Sequence, residues 1–362
     1  MSISYAEEYR DPAISQSLVR QIKAASTRPI RLMEVCGTHT MAIFRHGIRT
    51  LLPGTITLLS GPGCPVCVTA QGDIDAFVAL SRRRDAALAT FGDLMRVPGS
   101  GSSLQRETAE GADVRVVYSP LDAVQLAARE PERQVVFLGV GFETTAPTIA
   151  AAIQTAHRMG LTNFSVYSAH KTVPAALNAL MANPQVRIDG FLLPGHVSVI
   201  IGLDAYQSFF DRFQTPSVVV GFEPVDILRG ILELVTMVEK GTPGLGNAYP
   251  RAVTREGNAQ ARQVMADVFE PCDAAWRGLG VIPGSGLAIR EELAGFDAVR
   301  RFGLEVGETP EPKGCACGEI LSGTKIPPEC ALFRTRCTPM SPVGPCMVSS
   351  EGTCAAYYRY ST

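Results

Sequence analysis

From residue 30 to residue 237, apolar runs of six or seven residues alternate with stretches whose apolar positions recur every three or four residues. The first pattern predicts buried strands and the second amphipathic helices. Strands are expected at 30–35, 55–60, 86–91, 114–119, 134–140, 164–169, 189–194 and 216–221, most of them bounded by Gly, Pro or Ser. Largely apolar strands separated by helices imply parallel sheets covered on both faces.

The eight strands fall into two similar sets of four. MEVCGTHT (33–40) aligns with LGVGFETT (138–145), and TLLSGPGCPV with SVYSAHKTVP. DAALATFGD aligns with DGFLLPGHV, and VVYSPLDAV with VVVGFEPVDIL, which sets Pro120 and Asp122 opposite Pro224 and Asp226. Four matches in the same order imply two similar α/β domains, at 31–130 and 131–237, arisen by duplication. Residues 1–30 read as an N-terminal helical segment, and the glycine-rich KGTPGLGN (240–247) as a linker. Residues 248–362 read as a third, loop-rich domain in which cysteines crowd together after Pro310.

Composition narrows the function. Of the 362 residues 46% are hydrophobic, ample for more than one core, and a net charge of −2 without long basic runs argues against nucleic acid or an anionic membrane surface. The acidic start, MSISYAEEYRDPAI, has no apolar core of a signal peptide, and no apolar run is long enough to span a membrane. A cytoplasmic protein is expected, so its ten cysteines read first as metal or redox chemistry.

In open parallel sheets, ligands bind at the carboxyl ends of strands. CGTHT (36–40) and GPGCPVC (61–67) follow the first two strands; GFETT (141–145), AHKT (169–172) and PGHVS (194–198) follow strands of the second set. Cys36, Cys64 and Cys67 therefore share one rim, where three thiolates can bind a soft or borderline metal with His39, His170 or His196 as neighbours. C-x-x-C by itself can be half a zinc site, a redox dithiol or part of an iron site. Glu143 either takes part in that chemistry or caps the helix that follows it. A lone cysteine such as Cys272 is ordinarily inert.

Cys315, Cys317, Cys330, Cys337, Cys346 and Cys354 are separated by one, twelve, six, eight and seven residues. Structural zinc sites show paired C-x-x-C units, whereas an iron–sulfur cluster tolerates irregular spacing. Cys315 and Cys317 are too close to serve easily as two ligands of one cluster. One of them then belongs to a residual pair, a dithiol or a disulfide.

CGTHT, GPGCPVC, GFETT and the C-terminal GCACGEIL and PVGPCMVSSEGTCAAYYRY resemble the HypD family of NiFe-hydrogenase maturation factors along nearly the whole chain. The resemblance implies two related α/β domains and a C-terminal iron–sulfur domain. It implies a complex with a HypC-type small chaperone on which an Fe(CN)2CO moiety is assembled, with cyanide from a HypE-type donor. It makes Cys36, Cys64 and Cys67 the iron-handling and redox cysteines; from their places on the strand rims His39 and Glu143 are counted with them as candidate acting residues. Cys315, Cys330, Cys337 and Cys354 would hold a 4Fe-4S cluster, leaving Cys317 and Cys346 as a redox pair. The family often carries an acidic residue where Thr40 stands. CPVC then reads as a redox dithiol that also helps to hold iron, supplied with electrons by the cluster. Two other functions share the cysteines: an iron–sulfur protein-disulfide reductase, and a passive assembly scaffold without its own iron site.

Overall fold

A computed structural model describes residues 7–307 and 309–361. All eight expected strands form: β1 (Ile30–Glu34), β2 (Ile56–Ser60), β3 (Ala86–Thr90), β4 (Val114–Val116), β5 (Gln134–Gly139), β6 (Phe164–Ser168), β7 (Gly190–Pro194) and β8 (Ser217–Val220). They build two parallel α/β sheets. The expected glycine-rich linker contributes one more strand, β9 (Leu245–Asn247), which pairs with β8 at a sheet edge. A short edge strand needs only a single row of partners, so its one glycine, Gly246, is tolerated there.

The sheets do not follow the boundaries 31–130 and 131–237. The first sheet has the order β2-β1-β7-β8-β9 and the second β4-β3-β5-β6, so each contains two strands from each sequence repeat. The repeat itself persists in the pairing. Ile30 pairs with Ile56 and Glu34 with Ser60, as their repeat-mates Val135 and Gly139 pair with Phe164 and Ser168. Leu88 pairs with Val114 as Leu192 pairs with Val218. Pro120 and Pro224 each open a helix, and Asp122 and Asp226 close equivalent capping boxes. The two halves of each repeat have been exchanged between sheets. Apolar runs of equal length carry no label for their neighbour, so only the tertiary contacts decide which strands join.

One apolar cluster links the sheets, with Met33, Leu59, Leu193 and Val219 from the first and Leu88, Val136 and Leu138 from the second. The helix Pro12–Ala25, capped by Asp11, places Leu18, Val19 and Ile22 against Ile30, Leu32 and Ile231 on the other face of the first sheet. The start of the expected segment 1–30, residues 1–6, lies outside the described residues.

Residues 248–362 divide in two. The helix Ala259–Val268 and an antiparallel hairpin, β10 (Phe269–Trp276) with β11 (Gly280–Ile289), place Val268, Phe269 and Ile289 in a cluster with Val135 and Phe137 of the second sheet and Ile149 of the helix Ala146–Arg158. Only the later portion is loop-rich; there Ala316, Ile320 and Cys330 gather with Leu332 and Phe333. No helix among the described residues is long and apolar enough to cross a membrane.

Candidate functional site

Exchange of the half-repeats decides what meets at the rim of the first sheet. CGTHT follows β1, GPGCPVC follows β2 and PGHVS follows β7, so all three share it. GFETT and AHKT follow β5 and β6 in the second sheet. His196 thereby joins Cys36, whereas His170 does not. The Cys36 thiol lies 3.9 Å from the His196 ring. His170 packs on Phe269 beneath the hairpin and bonds to Ser168 at 2.9 Å.

The glycines of GPGCPVC have a steric reason. A Cβ on Gly63 would come within 2.0 Å of the Cys36 nitrogen, and the Gly63 carbonyl accepts from the Gly37 amide at 3.0 Å. The turn after β2 lies directly on the turn after β1, and only glycine permits that approach. Cys36 then opens the helix Gly37–Arg45 from an extended conformation. Burial pushes its thiol well above the ordinary cysteine range.

His39 is fully buried and stacks on Phe222, with ring centroids 4.8 Å apart; His196 stacks on the same ring at 5.1 Å. Its Nε2–H donates to the Gly221 carbonyl at 2.9 Å, which leaves Nδ1 unprotonated, buried and without a partner. Such an orphaned imidazole nitrogen suits a metal or a transient proton. Burial, and then its neighbour His196, holds His39 down to about 3, while burial alone holds His196 down to about 4. Both are neutral at physiological pH.

A carboxyl group does stand beside Thr40. The Thr40 hydroxyl donates to Glu34 Oε1 at 2.8 Å, and Glu34 is fully buried at the end of β1. Burial pushes Glu34 up to about 8. An acid at the carboxyl end of a buried strand, directly before the CGTHT turn, was the signal for this residue in the sequence.

Glu143 caps a helix, but not the one that follows it. Its carboxylate accepts from the Val173 amide at 3.0 Å, at the start of Val173–Ala182 beyond β6. Burial pushes it up to about 7. It belongs to the second sheet's rim, while Cys36 belongs to the first.

Cys64 and Cys67 make their contacts with the C-terminal segment. Cys64 caps the short helix Pro65–Val68, accepts from the Cys67 amide at 3.4 Å and reaches Ser349 Oγ at 3.4 Å. Cys67 is buried against Cys64 and Cys346, and burial raises its thiol far above the usual range. Thr38 donates to Glu351 at 2.6 Å, so the segment 349–351 binds CGTHT and CPVC together. Among the described residues no three His, Cys, Asp or Glu side chains are drawn together as a metal site.

The sulfur chemistry continues into the C-terminal segment. Cys317 and Cys346 stand with their sulfurs 3.2 Å apart, and both are buried. They line one small cavity with Cys315, Cys330, Cys337 and Cys354, closed by Ile320, Leu332 and Phe333. A thiol-lined cavity walled by apolar side chains matches the donor set and dry surroundings of an iron–sulfur cluster. Hydrogen bonds from Cys317, then Cys354 and Cys67, hold Cys346 well below the usual thiol range. Cys272 lies apart from these thiols, in β10.

Known proteins resemble this chain over its length. Residues 13–361 match the family described as HypD: Hydrogenase formation hypA family. The hydrogenase maturation factor HypD of Azotobacter vinelandii is 48% identical over 99% of this chain and 97% of its own. Its counterpart in Rhizobium leguminosarum is 46% identical over 99% of this chain and 96% of its own. That of Escherichia coli K12 is 43% identical over 98% of each.

Proposed function

The chain belongs to the HypD family of hydrogenase maturation factors, and we propose that it serves as the scaffold on which an Fe(CN)2CO moiety is assembled. The work is shared with a HypC-type chaperone and a HypE-type cyanide donor in the cytoplasm. Iron, the cargo, is held on the first sheet's rim by Cys36, with His196 and His39 beside it and the Cys64/Cys67 dithiol behind. The observation that carries this reading is the 3.9 Å approach of Cys36 to His196 beside the unpartnered Nδ1 of His39.

Iron there reverses the titration of the site. Burial keeps the Cys36 thiol protonated, but a bound cation outweighs burial and releases that proton. The neutral imidazoles need lose none. Enclosure by Phe222 and the 349–351 segment limits water at iron that carries cyanide and carbon monoxide.

Cys315, Cys330, Cys337 and Cys354 would hold a 4Fe-4S cluster, with Cys317 and Cys346 as the adjoining redox pair. When bound, such a cluster supplies electrons singly, and a dithiol stores two. Contact of Cys67 with Cys346 supports a path between the two sites.

Infrared spectroscopy of the anaerobically purified complex with a HypC-type chaperone tests this reading. Cyanide and carbon monoxide bands that vanish in Cys36→Ser support assembly on this chain. Bands that persist in Cys36→Ser return the iron to the chaperone and reduce this chain to a passive scaffold. Cluster iron without such bands favours a protein-disulfide reductase.

A further inference from the structure

Arg277 is 2% exposed and occupies the turn between β10 and β11. Its Nε donates to the Thr69 carbonyl at 3.0 Å and its Nη2 to Gln71 Oε1 at 2.9 Å. Both partners are neutral. Among the described residues, no carboxylate forms an ion pair with it. A guanidinium cannot shed its proton to escape burial, so an isolated one is strongly unfavourable unless negative charge lies nearby.

The turn holds Arg277 between the two cysteine segments. Trp276 bridges Thr69, and the Arg277 amide donates to the Val68 carbonyl at 2.9 Å, just after Cys67. On the other side Gly278 lies on the next segment. A Cβ there would come 2.2 Å from Gly318 Cα and 3.5 Å from the Cys317 carbonyl carbon.

We propose that Arg277 is the counter-charge of the cysteine cavity and raises the reduction potential of the iron–sulfur centre that the cavity holds. The inference rests on the cluster reading above. Reduction adds one electron to the centre and no proton to Arg277, so the centre gains one unit of negative charge. A fixed cation favours that more negative state. Arg277 acts through its field and touches no reacting atom.

The test is a dye-mediated dithionite titration of the anaerobic full-length protein, followed by electron paramagnetic resonance, with iron content measured in parallel. Arg277→Gln removes the charge. Gln71→Glu is nearly isosteric and neutralises the charge with Arg277 still in place, so it decides the matter if Arg277→Gln does not fold. In both, the equilibrium constant for reduction is expected to fall about tenfold, a lowering of about 59 mV for a one-electron couple. Arg277→Lys keeps the charge and should stay near the parent value. A cluster present at full iron content in Gln71→Glu with an unmoved midpoint overturns the role of Arg277 alone. Absence of a 4Fe-4S signal in the parent protein overturns the cluster reading, and this inference with it.

Discussion

Cys36 presents its thiol 3.9 Å from the ring of His196, across 160 residues of sequence, because β1 and β7 are neighbours in one sheet. No side-chain hydrogen bond joins either residue to Cys64 or Cys67. The rim therefore offers two kinds of chemistry side by side: a thiol with imidazoles, and a pair of thiols. Cys36→Ser is nearly isosteric, so circular dichroism and cluster absorbance should be unchanged while hydrogenase maturation in cells is lost. His196→Ala should lower maturation about 10–100-fold, the usual effect of removing a group that orients a metal ligand. Full maturation in both variants would take iron away from this rim.

Cys64→Ser and Cys67→Ser should each stop maturation with the fold retained. A hydroxyl can neither form a disulfide nor serve as a good iron ligand. Maturation assays beside circular dichroism separate this from unfolding, and near-normal activity in either variant would remove the dithiol from the pathway.

Replacing Cys330 or Cys337 by alanine should abolish the brown iron–sulfur absorbance. Both line the cavity with Cys315 and Cys354, and the segment around them has few other apolar staples. The loss should lower the thermal midpoint of the C-terminal segment as well. Absorbance surviving either change would require a different set of ligands.

Gly63→Ala should break the contact between the two turns. The new methyl would sit 2.0 Å from the Cys36 nitrogen and 2.3 Å from its Cα, and backbone cannot yield as a side chain does. A destabilisation of about 1–3 kcal/mol is expected, the cost of an overpacked interior, with maturation impaired beyond the loss of folded protein. Denaturant unfolding and maturation measured on the same variant check it.

Glu34 gives the protein a pH signature. Its folded value of about 8 lies above the ordinary carboxylate value of 4.5, so the folded protein binds this proton more tightly than the unfolded chain. The stability it contributes is complete below about 4.5 and is lost as pH rises through about 8. Glu34→Gln cannot ionise and should escape that loss. The stability difference between Glu34→Gln and the parent should move in the variant's favour by up to about 1.4 kcal/mol per pH unit across that window. Urea unfolding at pH 5, 6, 7 and 8 reads the slope, and parallel curves would show that Glu34 ionises freely in the folded protein.

The sequence by itself determined the local structure and the chemical inventory. Its apolar runs specified eight strands, because a buried parallel strand needs a continuous apolar stretch whatever lies beside it. The matched segments specified a repeat, which survives as shared register between Ile30 with Ile56 and Val135 with Phe164. Cys36, Cys64 and Cys67 could be placed on one rim because β1 and β2 are consecutive and adjacent. Tertiary structure alone decided how the half-repeats combine, since strand pairing between distant segments is settled by packing that no local pattern encodes. That choice brings His196 and Phe222 to Cys36, leaves Glu143 on the other sheet, and lets β9 form from a stretch that reads as a linker. It also buries Arg277, and it buries Glu34 and His39, whose protonation is shifted by desolvation from segments far away in the chain.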